Sequence, residues 1–123
     1  IMCGIAAFSY CRANQSLSKK FFDIEKFISH RGPENTGSFV NSHLNLLHTR
    51  LSIVDIKGGN QPIENSKYVL IVNGEIYNDL EIRKKNKSYK YSTLSDSESI
   101  LALYDKKGLN AFKDLRGMYA FVL

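Results

Sequence analysis

The chain has 123 residues, 43% hydrophobic and 24% charged, with a net charge of +5, which predicts one soluble globular domain around a single core. No apolar run approaches the ~20 residues of a membrane-spanning helix, and no basic-then-apolar leader opens the sequence. Two cysteines, Cys3 and Cys11, make neither a disulfide framework nor a C-x-x-C zinc pair, and a reducing cytoplasm is expected.

The elements follow in order. "MCGIAAFS" (2–9) reads as a buried strand. "SLSKKFFDIEKFISHRG" (16–32) sets Phe21, Phe22, Ile24, Phe27 and Ile28 at near-helical spacing and stops at Gly32-Pro33. "TGSFVN" (36–41) and "LNLLHTRLSIV" (44–54) read as strands joined by an Asn41-Ser42-His43 turn. "GGNQPIEN" (58–65) is a loop. "YVLIVNGEIYN" (68–78) carries the strongest strand signal, interrupted at Asn73-Gly74. The basic cluster "RKKNKSYK" (83–90) is a solvated turn or helix end, and it lacks the surroundings of a nucleic-acid surface. "SDSESILALYDKKG" (95–108) opens with a Ser95–Glu98 capping box and closes at Gly108. "LNAFKDLRG" (109–117) is a short helix and "MYAFVL" (118–123) a final strand. Strands that do not alternate strictly with helices predict an α+β fold with mostly antiparallel sheets. Phosphate-binding glycine loops are absent from the sequence.

Several residues carry two readings each. Cys3 is a small buried hydrophobe or a nucleophile. If it stood at the head of the chain, its own α-amine, with an unperturbed pKa near ~8, would be its base. Asn73-Gly74 is a hairpin turn, an oxyanion hole in which the Asn amide and the Gly N–H converge, or both. Arg50, inside an apolar strand, is salt-bridged or clamps a substrate carboxylate. Asp96 and Glu98 offset a helix dipole, or Asp96 meets an ammonium group. His43 and His48 lie five apart on a strand with no third ligand at a suitable spacing, so metal binding is not expected.

Together "MCGI", "HRGPE", "HTRLSIVD", "QPI", "NGEIYN", "SDSE" and "LRGMYAFVL" resemble, in order and across essentially the whole chain, the glutaminase domain of glutamine-dependent asparagine synthetases. These are class II amidotransferases of the N-terminal-nucleophile type. The resemblance implies an αββα sandwich. It makes Cys3 the nucleophile on the glutamine amide, Asn73 and Gly74 the oxyanion hole, and Arg50 the ligand of the α-carboxylate. Glu75 and Asp96 would meet polar ends of the substrate, Leu51 and Ile53 the pocket, and Arg31 and Gly32 the neighbouring loop. Glutamate and ammonia would form through a glutamyl thioester, and the ammonia would pass to a synthetase domain. The glutaminase domain itself needs no cofactor; ATP and Mg belong to the synthetase domain.

Two departures from the family pattern shape the expectations. Ile1 and Met2 precede Cys3, and while they are attached the cysteine's amine is a non-basic amide, so the site is expected to be silent. The family domain also continues past "FVL", so residues 1–123 are read as an incomplete glutaminase domain without its synthetase domain. An unpaired sheet edge would then favour a homodimer or dependence on further segments. Two other readings stay open: a non-catalytic glutamine-binding remnant, and an amidotransferase acting on a sugar acid.

Overall fold

The computed structural model describes residues 3–10, 15–51 and 58–123, except for the side chains of 15–19 and 22. The strand-forming runs close two antiparallel three-stranded sheets. In the first, β1 (Gly4–Ser9), β2 (Asn35–Val40) and β3 (Leu44–Arg50) lie in the order β1-β3-β2. The central position of β3 explains why Asn45 to Arg50 are buried without alternation. The predicted turn between β2 and β3 forms because Asn41 Oδ1 accepts the N–H groups of His43 and Leu44, at 2.8 and 2.7 Å. Residues 52–57, which include the predicted end of this strand and Ile53, lie outside the described residues.

Helix α1 (Gln15–Ile28), followed by a 3₁₀ turn at Ser29–Arg31, packs on the first sheet. Phe21 is fully buried and meets Phe8 edge-on at 5.5 Å. Phe27, expected in the core, is 74% exposed. At about 100° per residue, Phe27 lies about 120° round the helix from Phe21, whereas Ile24 and Ile28 lie within about 60° of it.

The second sheet has the order β4-β5-β6, formed by Ile63–Glu64, Val69–Ile76 and Gly117–Val122. Helices α2 (Asp79–Lys85) and α3 (Glu98–Lys107) and a 3₁₀ segment at Gly108–Asp114 follow β5. Leu70, Val72 and Ile76 of β5 join Ile82, Ile100, Leu101, Leu103, Ala111 and Leu115 in one cluster. Each large apolar side chain buried this fully contributes about 1.5–3 kcal/mol. Strand β5 also contacts β1 and β3, so the layers run α1, sheet, sheet, α2 with α3. This is the expected α+β sandwich of αββα type.

Two local expectations are corrected, and one helix is added. Asn73-Gly74 is not a turn: β5 runs through it, with Asn73 opposite Ala120 and Gly74 opposite Tyr119 on β6. Gly74 has φ 143°, and a Cβ there would lie 2.0 Å from the Met118 carbonyl oxygen, so the glycine serves close strand approach. The Ser95–Glu98 capping box does not form, because Ser97 is the N-cap and makes no side-chain bond. Helix α2 has only Ile82 buried, too little periodicity to stand out. Its legible signal was charge order, acids at 79 and 81 before bases at 83 to 85.

Candidate active site between the two sheets

A cavity opens where the C-terminal end of β3 and the start of β1 meet the second half of β5. Cys3, Arg50, Leu51, Asn73, Gly74, Glu75 and Asp96 all line it, with Gly59, Gln61, Val72, Ser95, Ser97 and Met118. Its volume is about 120 Å³, roughly ten times the space one water requires, which suits a molecule of amino-acid size. Every residue expected in the pocket is therefore gathered here except Ile53, which lies outside the described residues, while Arg31 and Gly32, expected in the neighbouring loop, do not line it.

The wall on the first sheet is placed by strand pairing. The β1–β3 register sets Gly4 opposite Thr49 and brings half-buried Cys3 beside the end of β3. The Cys3 thiol donates to the Leu51 carbonyl at 3.6 Å, and Cys3 Sγ accepts from the Leu51 N–H at 3.4 Å. Arg31 Nε donates to the Cys3 carbonyl at 3.2 Å. Arg50, 5% exposed, donates from Nη1 to Asn60 Oδ1 at 2.6 Å. Pro33 bridges to Arg50, and the Glu34 N–H donates to the Arg50 carbonyl, so the segment after α1 braces this strand end.

The wall on the second sheet is an open strand edge. Strand β4 pairs with β5 only at Ile63–Leu70 and Glu64–Val69, so beyond Leu70 the β4 side of β5 has no strand partner among the described residues. Side chains take its place. Gln61 Oε1 accepts the Val72 N–H at 2.5 Å, His48 Nε2 lies 3.1 Å from the Val72 carbonyl, and Asp96 Oδ2 accepts the Ile76 N–H at 2.5 Å. In an antiparallel ladder alternate residues face opposite neighbours. The Tyr77 N–H bonds to β6's flank at Arg116, which assigns the odd positions to β6 and the even ones to the open edge. The Gly74 N–H thus faces the edge between two filled positions, lining the cavity. Asn73 Oδ1 is buried without a partner among the described residues.

Burial shapes the titrations. It pushes the Asp96 carboxyl above its usual range, and the Asp79 charge adds to this, while N–H bonds from Ile76 and Ser97 oppose it. A cationic ligand group would relieve that carboxylate. Burial also lowers His48 to about 4, the bond to the Val72 carbonyl opposing the shift and the Arg50 charge reinforcing it. His48 is therefore neutral at pH 7 and donates from Nε2 to the Val72 carbonyl, tying the two sheets together beside the cavity. A thiol, a buried guanidinium, an open backbone N–H and a desolvated carboxylate can together hold a zwitterion and attack its side chain.

Sequence reasoning gave no role to Gln61, His48 or Arg83 and read Glu98 as a dipole partner. Gln61 belongs to the noted "QPI" and Glu98 to "SDSE", so both were within sight.

A family model describing a glutamine amidotransferase domain matches residues 2–123. The chain is 44% identical over 110 residues to asparagine synthetase B (glutamine-hydrolysing) of Escherichia coli K12, covering 87% of this chain and 20% of that protein. It is 41% identical to asparagine synthetase 1 (glutamine-hydrolysing) of Saccharomyces cerevisiae, covering 99% of this chain and 22% of the relative. Asparagine synthetase 1 (glutamine-hydrolysing) of Arabidopsis thaliana is 38% identical, with 99% and 21% covered. The chain spans about a fifth of the length of these curated relatives. With the match running from Met2 to Leu123, the chain belongs to the glutamine amidotransferase domain family.

Proposed function

We propose that the chain hydrolyses the side-chain amide of glutamine and supplies the ammonia to an ATP-dependent synthetase portion of a longer enzyme. The observation that carries this reading is the convergence of Cys3, Arg50, Gly74 and Asp96 on one cavity. Arg50 matches the α-carboxylate of the substrate and Asp96 its α-ammonium, with Glu75 at the same polar end.

With Cys3 at the head of the chain, its α-amine takes the thiol proton and the thiolate attacks the amide carbon. The resulting oxyanion sits between the Gly74 N–H and the Asn73 side-chain amide, donors held in place before the charge develops. The ammonium formed on Cys3 returns a proton to the leaving nitrogen, and ammonia departs as the glutamyl thioester forms. Water, activated by the same amine, attacks the thioester, giving glutamate and restoring the thiol. The names of the relatives favour aspartate as the carboxylate that receives the ammonia. A reducing cytoplasm suits a catalytic thiol.

The test compares three proteins: the chain beginning at Cys3, the same chain with Cys3→Ala, and the chain carrying Ile1 and Met2. Ammonia release is expected from the first alone. Turnover that persists in Cys3→Ala, or is equal with Ile1 and Met2 attached, overturns the assignment. Glutamine binding without any turnover by the chain beginning at Cys3 supports a non-catalytic glutamine-binding domain instead.

A further inference from the structure

Asp96 is the one acidic cavity residue that also closes the open edge of β5, through the Ile76 N–H. It lies at the end of an irregular segment, residues 90–97, with no strand to locate it. Two charged side chains from the helices do that work. Glu98 is 1% exposed, and its carboxylate accepts four bonds. Ser92 donates to Oε1 from its N–H at 2.8 Å and its hydroxyl at 3.0 Å, and Thr93 donates to Oε2 from both groups at 2.7 Å. All four donors of Ser92 and Thr93 are thereby satisfied by one side chain that begins α3.

Arg83 of α2 binds the complementary groups. Nη1 donates to the Thr93 carbonyl at 3.1 Å and Nη2 to the Ser95 carbonyl at 2.7 Å, while Nε pairs with Asp79 at 2.8 Å. Its guanidinium also stacks over Tyr91 at 4.2 Å. Ser99 donates to the same Asp79 oxygen, which closes the circuit back to α3. Acceptors and donors of residues 92–95 are thus held from two sides. Glu98 is fully buried and Arg83 largely so, at a cost, beside a segment that forms no strand.

We propose that Glu98 and Arg83 are positioning residues that set the Asp96 carboxylate for the α-ammonium of the substrate. Neither lines the cavity itself; both act through the 92–96 backbone, Arg83 by bonding the carbonyl of the lining residue Ser95. This rests on the glutaminase reading above and assigns the amino-acid specificity of that site to two charged side chains that do not line it. A substrate lacking the α-ammonium gains nothing from a well-placed Asp96, so the effect of either residue should depend on the substrate.

The experiment measures hydrolysis of glutamine and of glutaramate, which is glutamine without its α-amino group, by the full chain with Cys3 at its head. Wild type is compared with Glu98→Gln, Arg83→Lys, Asp96→Asn and the Glu98→Gln/Asp96→Asn double variant. Glu98→Gln places an NH₂ against a backbone N–H and is expected to raise the KM for glutamine about tenfold, as for loss of one hydrogen bond to a charged group. The kcat should stay within about twofold, and glutaramate kinetics should not change. Arg83→Lys keeps the charge, loses the fork, and should follow the same pattern more weakly. The double variant should be no worse than Asp96→Asn alone, because both changes remove one interaction. Equal losses on both substrates, or additive losses in the double variant, overturn the proposal; so does unchanged glutamine KM in Arg83→Lys if Glu98→Gln does not fold. Wild type that fails to hydrolyse glutamine sinks the glutaminase reading itself, a result distinct from the variant patterns.

Discussion

On the wall formed by the first sheet, Cys3, Arg50 and Leu51 take their places from a continuous β1–β3 ladder. On the wall formed by the second sheet, Asn73, Gly74 and Asp96 occupy an edge that its neighbour β4 abandons after two residues. The first wall is placed chiefly by its ladders, because central β3 pairs along both of its edges. The second relies on side chains, Gln61, His48 and Asp96 standing in for a strand. A complete ladder places a nucleophile rigidly but uses up its N–H groups. An interrupted one leaves an N–H free to meet a substrate.

The contrast is broken most severely at glycine. Gly74→Ala would drive a Cβ into the Met118 carbonyl at a backbone angle that L residues avoid. A loss of about 3 kcal/mol or more in urea unfolding is expected, with at least about 100-fold lower glutamine hydrolysis from the disturbed N–H. Gly4→Ala on the first wall meets chiefly the Thr49 hydroxyl, at 2.5 Å, and carries no positive-φ strain. It should cost less, and an equal or larger cost would end the distinction between the walls.

Next in size is the bond between the walls. The pKa of His48 in the folded chain, about 4, lies below the unfolded value of 6.5. Its neutral form is favoured by folding, so this stability is complete above pH 6.5 and lost as pH falls through 4. The shift corresponds to about 3 kcal/mol. Unfolding midpoints measured from pH 7 to pH 4 should fall less steeply in His48→Asn, while Asp96, whose shift runs in the opposite sense, contributes equally to both proteins. Parallel pH profiles would show that His48 carries no such linkage.

The smallest effect expected is at Arg50. Arg50→Lys keeps a point charge but loses the planar fork, and a KM for glutamine raised about tenfold with kcat within twofold is expected from steady-state kinetics. A fall in kcat alone would place Arg50 at the reaction rather than at recognition.

The parts of the chain that could be read in advance are those whose pattern is local. The apolar runs of β1, β3 and β5, the Asn41 turn and the span of α3 follow from residue spacing and turn chemistry, and the ordered motifs pointed to the residues that line the cavity. Near-helical spacing alone does not separate exposed Phe27 from buried Phe21, because the angle round the helix decides which residue faces the sheet. Asn73-Gly74 misled because the same dipeptide suits a tight turn and a crowded strand, and the choice lies with Met118 on a distant strand. Glu98 misled because a carboxylate at a helix start resembles a dipole partner until its burial and its four donors are visible.

By itself the sequence determined the element types and which residue types were available for the chemistry, because hydrophobic period and turn preference act over a few neighbouring residues. Tertiary structure alone decided that β4 stops short, that the even-numbered N–H groups of β5 face an open edge, and that Cys3, Arg50, Gly74 and Asp96 share one cavity. Those outcomes depend on the length and register of a partner strand, and no single segment encodes what its neighbour leaves unpaired.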